Sequence, residues 1–155
     1  MRPQASPHAC AHPPQPAAGG LASSTRGAPP QPRLLDWLAP QTDALFRWAM
    51  ARQPDADARR GLAEVAVSVQ RLHGRGACRA WLFATALQLA AQPARPGSTA
   101  APAFAGLAPE LRLLLRAVAR GTLPARVAMA WLQQPMDRVR QRLLHAGRPA
   151  HNQNG

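Results

Sequence analysis

The chain is 155 residues long and carries a formal net charge of +12, from 19 basic residues, all of them arginine, against 7 acidic ones. That length is enough to bury a core, as one ordinary domain or two small ones. The charge points to polyanionic partners. A coding bias toward arginine, alanine and proline accounts for part of the composition, but not for the 8 arginines that face 2 acids between Leu107 and Arg148.

No signal-peptide pattern opens the chain, and the longest apolar run, Ala80 to Ala91, is interrupted by Thr85 and Gln88 and is too short for a bilayer. No membrane partner is expected, and the two cysteines, Cys10 and Cys78, are too far apart to suggest a disulfide framework. A reducing cytoplasm is the expected compartment.

Residues 1–32 hold 8 of the 17 prolines and no acidic residue. With few large apolar side chains to offset the entropy of ordering, this segment reads as a disordered tail. Within it His8, Cys10 and His12 alternate and offer three soft donors, but a closed zinc site needs a fourth ligand and supporting hydrogen bonds. Neither a metal nor a cofactor is expected.

Residues 33–92 read as a small helical domain. Leu34 to Arg52 is helical in two pieces broken at Pro40, with Thr42 as N-cap and Leu45, Trp48 and Ala49 facing inward. Asp55 and Asp57 offer a cap for a second helix with Leu62, Val65, Val69 and Leu72 as its inward stripe, ended by Gly74 and Gly76. A third helix opens at Cys78 and runs to about Gln92, with Trp81, Leu82, Thr85, Ala86 and Leu89 closing a three-helix core. Residues 93–106, rich in Pro, Ala, Gly and Ser, read as a linker too broken for a helix.

Residues 107–148 read as three more helices. Pro109 starts the first, which carries Leu111, Leu114, Leu115 and Val118 on one face and ends at Gly121. The second starts at Pro124 and closes at Gln133-Gln134-Pro135, because a proline pushes the residue before it out of the helical region. The third turns Val139, Leu143 and Ala146 inward and leaves Arg138, Arg140, Gln141, Arg142 and His145 on its other surfaces. The expected fold class is therefore all-α: two small helical lobes joined by a Pro/Ala-rich linker, the C-terminal lobe a helix-turn-helix.

The run Pro135-x-x-x-Val139-Arg140-Gln141-Arg142-Leu143-x-x-Ala146, after Leu107-x-Pro109-Glu110-Leu111-Arg112, is similar to the DNA-binding C-terminal region of extracytoplasmic-function sigma factors. That family usually shows Val-Lys-Ser-Arg-Leu-x-Arg-Ala-Arg here; His145 and Gly147 stand in place of its later basic residues. Arg79-Ala80-Trp81-Leu82-Phe83 resembles the motif that opens the last helix of the family's N-terminal region. The resemblance spans about Leu34 to Arg148.

It implies a transcription initiation factor that recruits core RNA polymerase to double-stranded promoter DNA, with an anti-sigma protein as a further partner. Arg138, Arg140, Arg142 and Arg126 would then contact phosphate or guanine, and Gln141 an adenine edge. Where the family docks on polymerase with an acidic pair followed by Leu-Val-Gln-Glu, this chain has Arg60, Gly61, Leu62, Ala63, Glu64 and Val65, so that Arg60, Leu62 and Glu64 occupy the polymerase-binding positions. A diverged sigma-like regulator that binds another protein without reading a promoter is the alternative. Enzymatic activity is not expected: the chain has no phosphate-binding Gly-rich loop, no catalytically spaced carboxylate pair and no serine with a His/Asp complement.

Overall fold

A computed structural model describes residues 30–147. The described chain forms α1 (Leu34–Trp37), α2 (Thr42–Ala51), α3 (Ala56–His73), α4 (Arg75–Ala91), α5 (Ala100–Ala105), α6 (Pro109–Ala119), α7 (Ala125–Ala130) and α8 (Met136–Ala146), with 3-10 turns at Ala39–Gln41 and Trp131–Gln133. Among the described residues there is no β-strand, and one isolated antiparallel bridge joins Arg33 and Pro135. The expectation of an all-helical chain agrees with this.

Local chemistry explains most of the boundaries. Pro40 sits in the 3-10 turn that separates α1 from α2. Asp55 caps α3, its carboxylate accepting from the Ala58 amide at 2.8 Å. Gly74, at φ +91° and ψ 176°, ends α3 and begins α4 in one step; only glycine populates that backbone region readily. Gly121, at φ +76°, ends the turn after α6. Thr42 does not cap α2 as expected: it is the first residue of that helix, and its hydroxyl donates back to the Leu38 carbonyl at 2.9 Å. The preceding 3-10 turn already supplies that end of the helix with backbone acceptors.

The segment expected to be a featureless linker ends in a helix. α5 starts after Ser98, whose hydroxyl oxygen accepts from the Ala100 amide at 3.2 Å. Pro102 is the third residue of α5, within the first turn, where its missing N–H has no helical acceptor to lose. Phe104 then reaches the first helical group, its ring centroid 6.4 Å from that of Trp48. The alanines supply helix propensity that the prolines and glycine obscured.

One hydrophobic cluster takes residues from both halves of the described chain, from Leu34 and Leu38 through Phe83 and Leu87 to Leu111, Trp131 and Leu143. α4 is its centre and packs against α1, α2, α3, α6 and α7. Surrounded in this way it buries Leu82, Phe83, Ala86, Leu87 and Ala90, more than one amphipathic stripe. Trp81, expected inside, is half-buried, and Phe83, about 200° further round the helix, is the fully buried aromatic. α3 packs chiefly on α4 and buries only Leu62. Val65 and Leu72, expected on its inward stripe, are 44% and 69% exposed, because a single neighbouring helix covers too narrow a strip.

Candidate nucleic-acid interface

The basic C-terminal segment is built around a short corner. The 3-10 turn Trp131–Gln133 extends α7, Gln134 leaves the helical region at ψ 145° under the constraint of Pro135, and α8 starts at Met136. The N-terminal segment of the described chain braces this corner. The Leu34 amide donates to the Gln134 carbonyl at 2.9 Å and the Met136 amide to the Pro32 carbonyl at 3.0 Å, while Arg33 Nη1 donates to Gln133 Oε1 at 3.0 Å. Because Met136 is the first residue of α8, its amide has no helical acceptor of its own, and this strap, Pro32 to Leu34, supplies one.

α8 buries Met136, Val139 and Leu143, and leaves Arg138, Gln141, Arg142 and His145 exposed. Those four stand at i, i+3, i+4 and i+7 and so share one face. Arg142 has its guanidinium carbon 5.7 Å from the centroid of the Trp131 ring, a stacking contact worth about 0.5–1 kcal/mol at an exposed site. Arg140 points away from this face. Its Nε lies 3.2 Å from Glu110 of α6 and its Nη1 3.4 Å from Asp137, with its side chain 44% exposed. Such partly exposed pairs contribute about 0–1 kcal/mol each. Arg126 is exposed on α7.

Among the described residues two buried polar atoms at the same corner have no hydrogen-bond partner: Trp131 Nε1, a donor, and Gln134 Oε1, an acceptor. A buried donor or acceptor left without any partner costs about 1–3 kcal/mol of desolvation. Trp131 is 4% exposed, as expected, and its ring is the floor on which Arg142 rests.

The three residues that the sequence resemblance puts forward for polymerase binding are separated by the fold. Arg60 and Glu64 are exposed on α3, and Arg60 makes a loose 3.8 Å pair with Asp57, whereas Leu62 is buried against the core. The outer surface of α3 thus offers Arg60, Glu64, Val67 and Arg71 without the leucine. Cys78 is buried at the start of α4, its thiol directed at the Ala66 carbonyl at 3.5 Å. Burial pushes that thiol's pKa up, with the Arg79 charge acting in the opposite sense. Among the described residues no cluster of three or more His, Cys, Asp or Glu side chains could hold a metal, and no helix is long and apolar enough to cross a membrane. His8, Cys10 and His12 lie outside the described residues.

Sequence reasoning singled out the α8 arginines but not Arg33, which the strap brings to the same corner. No local signal could have found it, since 100 residues separate it from Gln133. Compared with known proteins, the chain matches no family model, no curated protein and no solved structure.

Proposed function

We propose that the protein is a sigma-like transcription factor, in which α7, the corner and α8 act as a helix-turn-helix on duplex DNA and the outer surface of α3 meets RNA polymerase. The observation that carries this reading is the exposed α8 stripe of Arg138, Gln141 and Arg142, backed by Met136, Val139 and Leu143 in the core. In the major groove Arg138 or Arg142 would take a guanine edge and Gln141 an adenine, while Arg126 and Arg140 would lie toward the phosphates. The basic excess of the whole chain would speed encounter with DNA.

A second reading, a sigma-like regulator that binds protein and not promoters, draws on a specific observation: Arg140 already has two carboxylate partners and Arg142 an aromatic one within the chain. Selection of sites from random duplex DNA, followed by a salt series on the chosen site, separates the two. On the DNA-binding reading the variant with Arg138, Arg140 and Arg142 all changed to alanine loses site selectivity and flattens the log–log salt slope by up to about three units. Equal binding by the variant and its parent at every salt concentration would leave the protein-binding reading as the better account.

A further inference from the structure

Away from α8, the C-terminal ends of α2 and α4, the following connector, α5 and α6 surround an open groove of about 900 Å³. Its floor is apolar, made of Leu115, Phe104 and alanines from α4, α5 and α6. Its rim carries Arg52, Arg95, Arg112 and Arg116, and no acidic residue lines it. Among the described residues none of these four arginines has a carboxylate within 4.0 Å, the only ion pairs being those of Arg60 and Arg140.

Two of the guanidiniums are held in place by the fold. Arg52 donates to the carbonyls of Leu89 and Gln92 at 2.5 and 2.9 Å, and its guanidinium carbon lies 5.7 Å from the centre of the Trp48 ring. Arg116 lies 5.1 Å from the centre of the Phe104 ring. Stacking occupies the flat face of a guanidinium and leaves its N–H edge for an anion at Arg116, while at Arg52, whose Nη2 serves the two carbonyls, the Nη1 and Nε donors remain. Arg112 is one helical turn before Arg116 and shares its face of α6. A fixed cationic edge over an apolar floor binds with little further loss of side-chain freedom.

We propose that this groove binds a small organic anion with an apolar body, such as an aromatic sulfonate or a medium-chain carboxylate. Its volume is that of a site for a molecule of a few hundred daltons. Single-stranded nucleic acid fits less well, because bases need free aromatic faces: Trp48 is only 4% exposed and Arg116 covers Phe104. Residues 1–32 contain no acidic side chain, and a second copy brings another +12, so neither complements the rim. The proposal does not depend on DNA binding.

The test is a fluorescence titration of the full chain with 8-anilinonaphthalene-1-sulfonate, followed by displacement with decanoate. One saturable site per chain is expected, weakened at least about tenfold, or 1.4 kcal/mol, by the double variant Arg112→Glu, Arg116→Glu and also by Ala101→Trp, which fills the groove from an exposed position. The double variant Arg138→Glu, Arg142→Glu removes the same charge elsewhere and should leave the site intact. Circular dichroism checks each fold; if the charge reversals unfold the chain, Ala101→Trp decides. Unsaturable binding, no binding, or binding indifferent to Ala101→Trp would overturn the proposal. So would a Glu/Leu amphipathic peptide that binds more tightly than either anion and is blocked by Ala101→Trp, since the occupant would then be a protein segment.

Discussion

Leu34 and Gln134 are joined by a backbone hydrogen bond of 2.9 Å, so the first helix of the described chain and the corner before α8 form one structural unit. Leu34 is 1% exposed, and its truncation to alanine should cost about 2–5 kcal/mol in urea unfolding. Removal of residues 1–29 leaves the strap in place and should leave the melting temperature nearly unchanged. Removal of residues 1–35 should destabilise the chain strongly. A large effect of the shorter deletion would mean that residues 1–29 contribute to the fold.

Gly74 and Gly76 make a matched pair. At Gly74, φ +91° strains any other residue although no atom lies within 4 Å of an added Cβ. Gly74→Ala should therefore cost about 1–3 kcal/mol through backbone strain alone. Gly76 stands within α4 at negative φ with equal space around it, and Gly76→Ala should stabilise by up to about 1 kcal/mol. Chemical denaturation of both variants reads the contrast directly.

The unpaired acceptor at Gln134 gives a third prediction. Gln134→Met keeps the length of the side chain and the backbone carbonyl that Leu34 uses, while removing the buried amide oxygen. Stability should rise by about 1 kcal/mol, the desolvation no longer being incurred. A fall of that size would mean that the side chain has a partner in solution, an ordered water being the simplest.

Alkaline pH isolates Cys78. The chain has no lysine and no tyrosine, so the side chains that titrate just above neutrality are the two thiols. Burial raises the folded pKa of Cys78 above its unfolded value of about 8.5, so the folded state keeps a proton that the unfolded chain gives up. Its contribution to stability is complete below the unfolded pKa and is lost as pH rises through the higher folded value. In a Cys10→Ala background, unfolding free energy should therefore decline above about pH 8.5, and Cys78→Ala should flatten that decline.

Arg140 offers a test of the DNA reading that does not remove an arginine. Glu110→Gln takes away the carboxylate 3.2 Å from its Nε. On that reading duplex affinity should increase and the log–log salt slope steepen by up to about one unit. Unchanged affinity and slope would place Arg140 in a structural role.

The helix inventory was largely legible because its signals are local: Pro40, Asp55, Gly74, Pro109, Gly121 and Pro135 each act on the backbone within a turn or two of their own position. The errors arose where distant segments decide. Val65 and Leu72 have helical spacing, yet no second helix covers them, whereas Phe83 and Leu87 fell outside the expected stripe and are buried because α4 has neighbours on several sides. The alanines of α5 form a helix whose Phe104 docks near Trp48, which composition alone hid. On α8 the exposed arginines followed from periodicity, but the engagement of Arg140 by Glu110 needed the fold.

The strap also governs when the molecule can close during its own synthesis. Arg33 meets Gln133 across 100 residues, an interval that a ribosome at about 5–20 residues per second takes roughly 5–20 s to cover. Throughout that time Leu34 and Leu38 lack the C-terminal part of the core that buries them. The nascent chain therefore leaves Leu34 and Leu38 incompletely covered until α8 has been made, a window in which a chaperone would find its target.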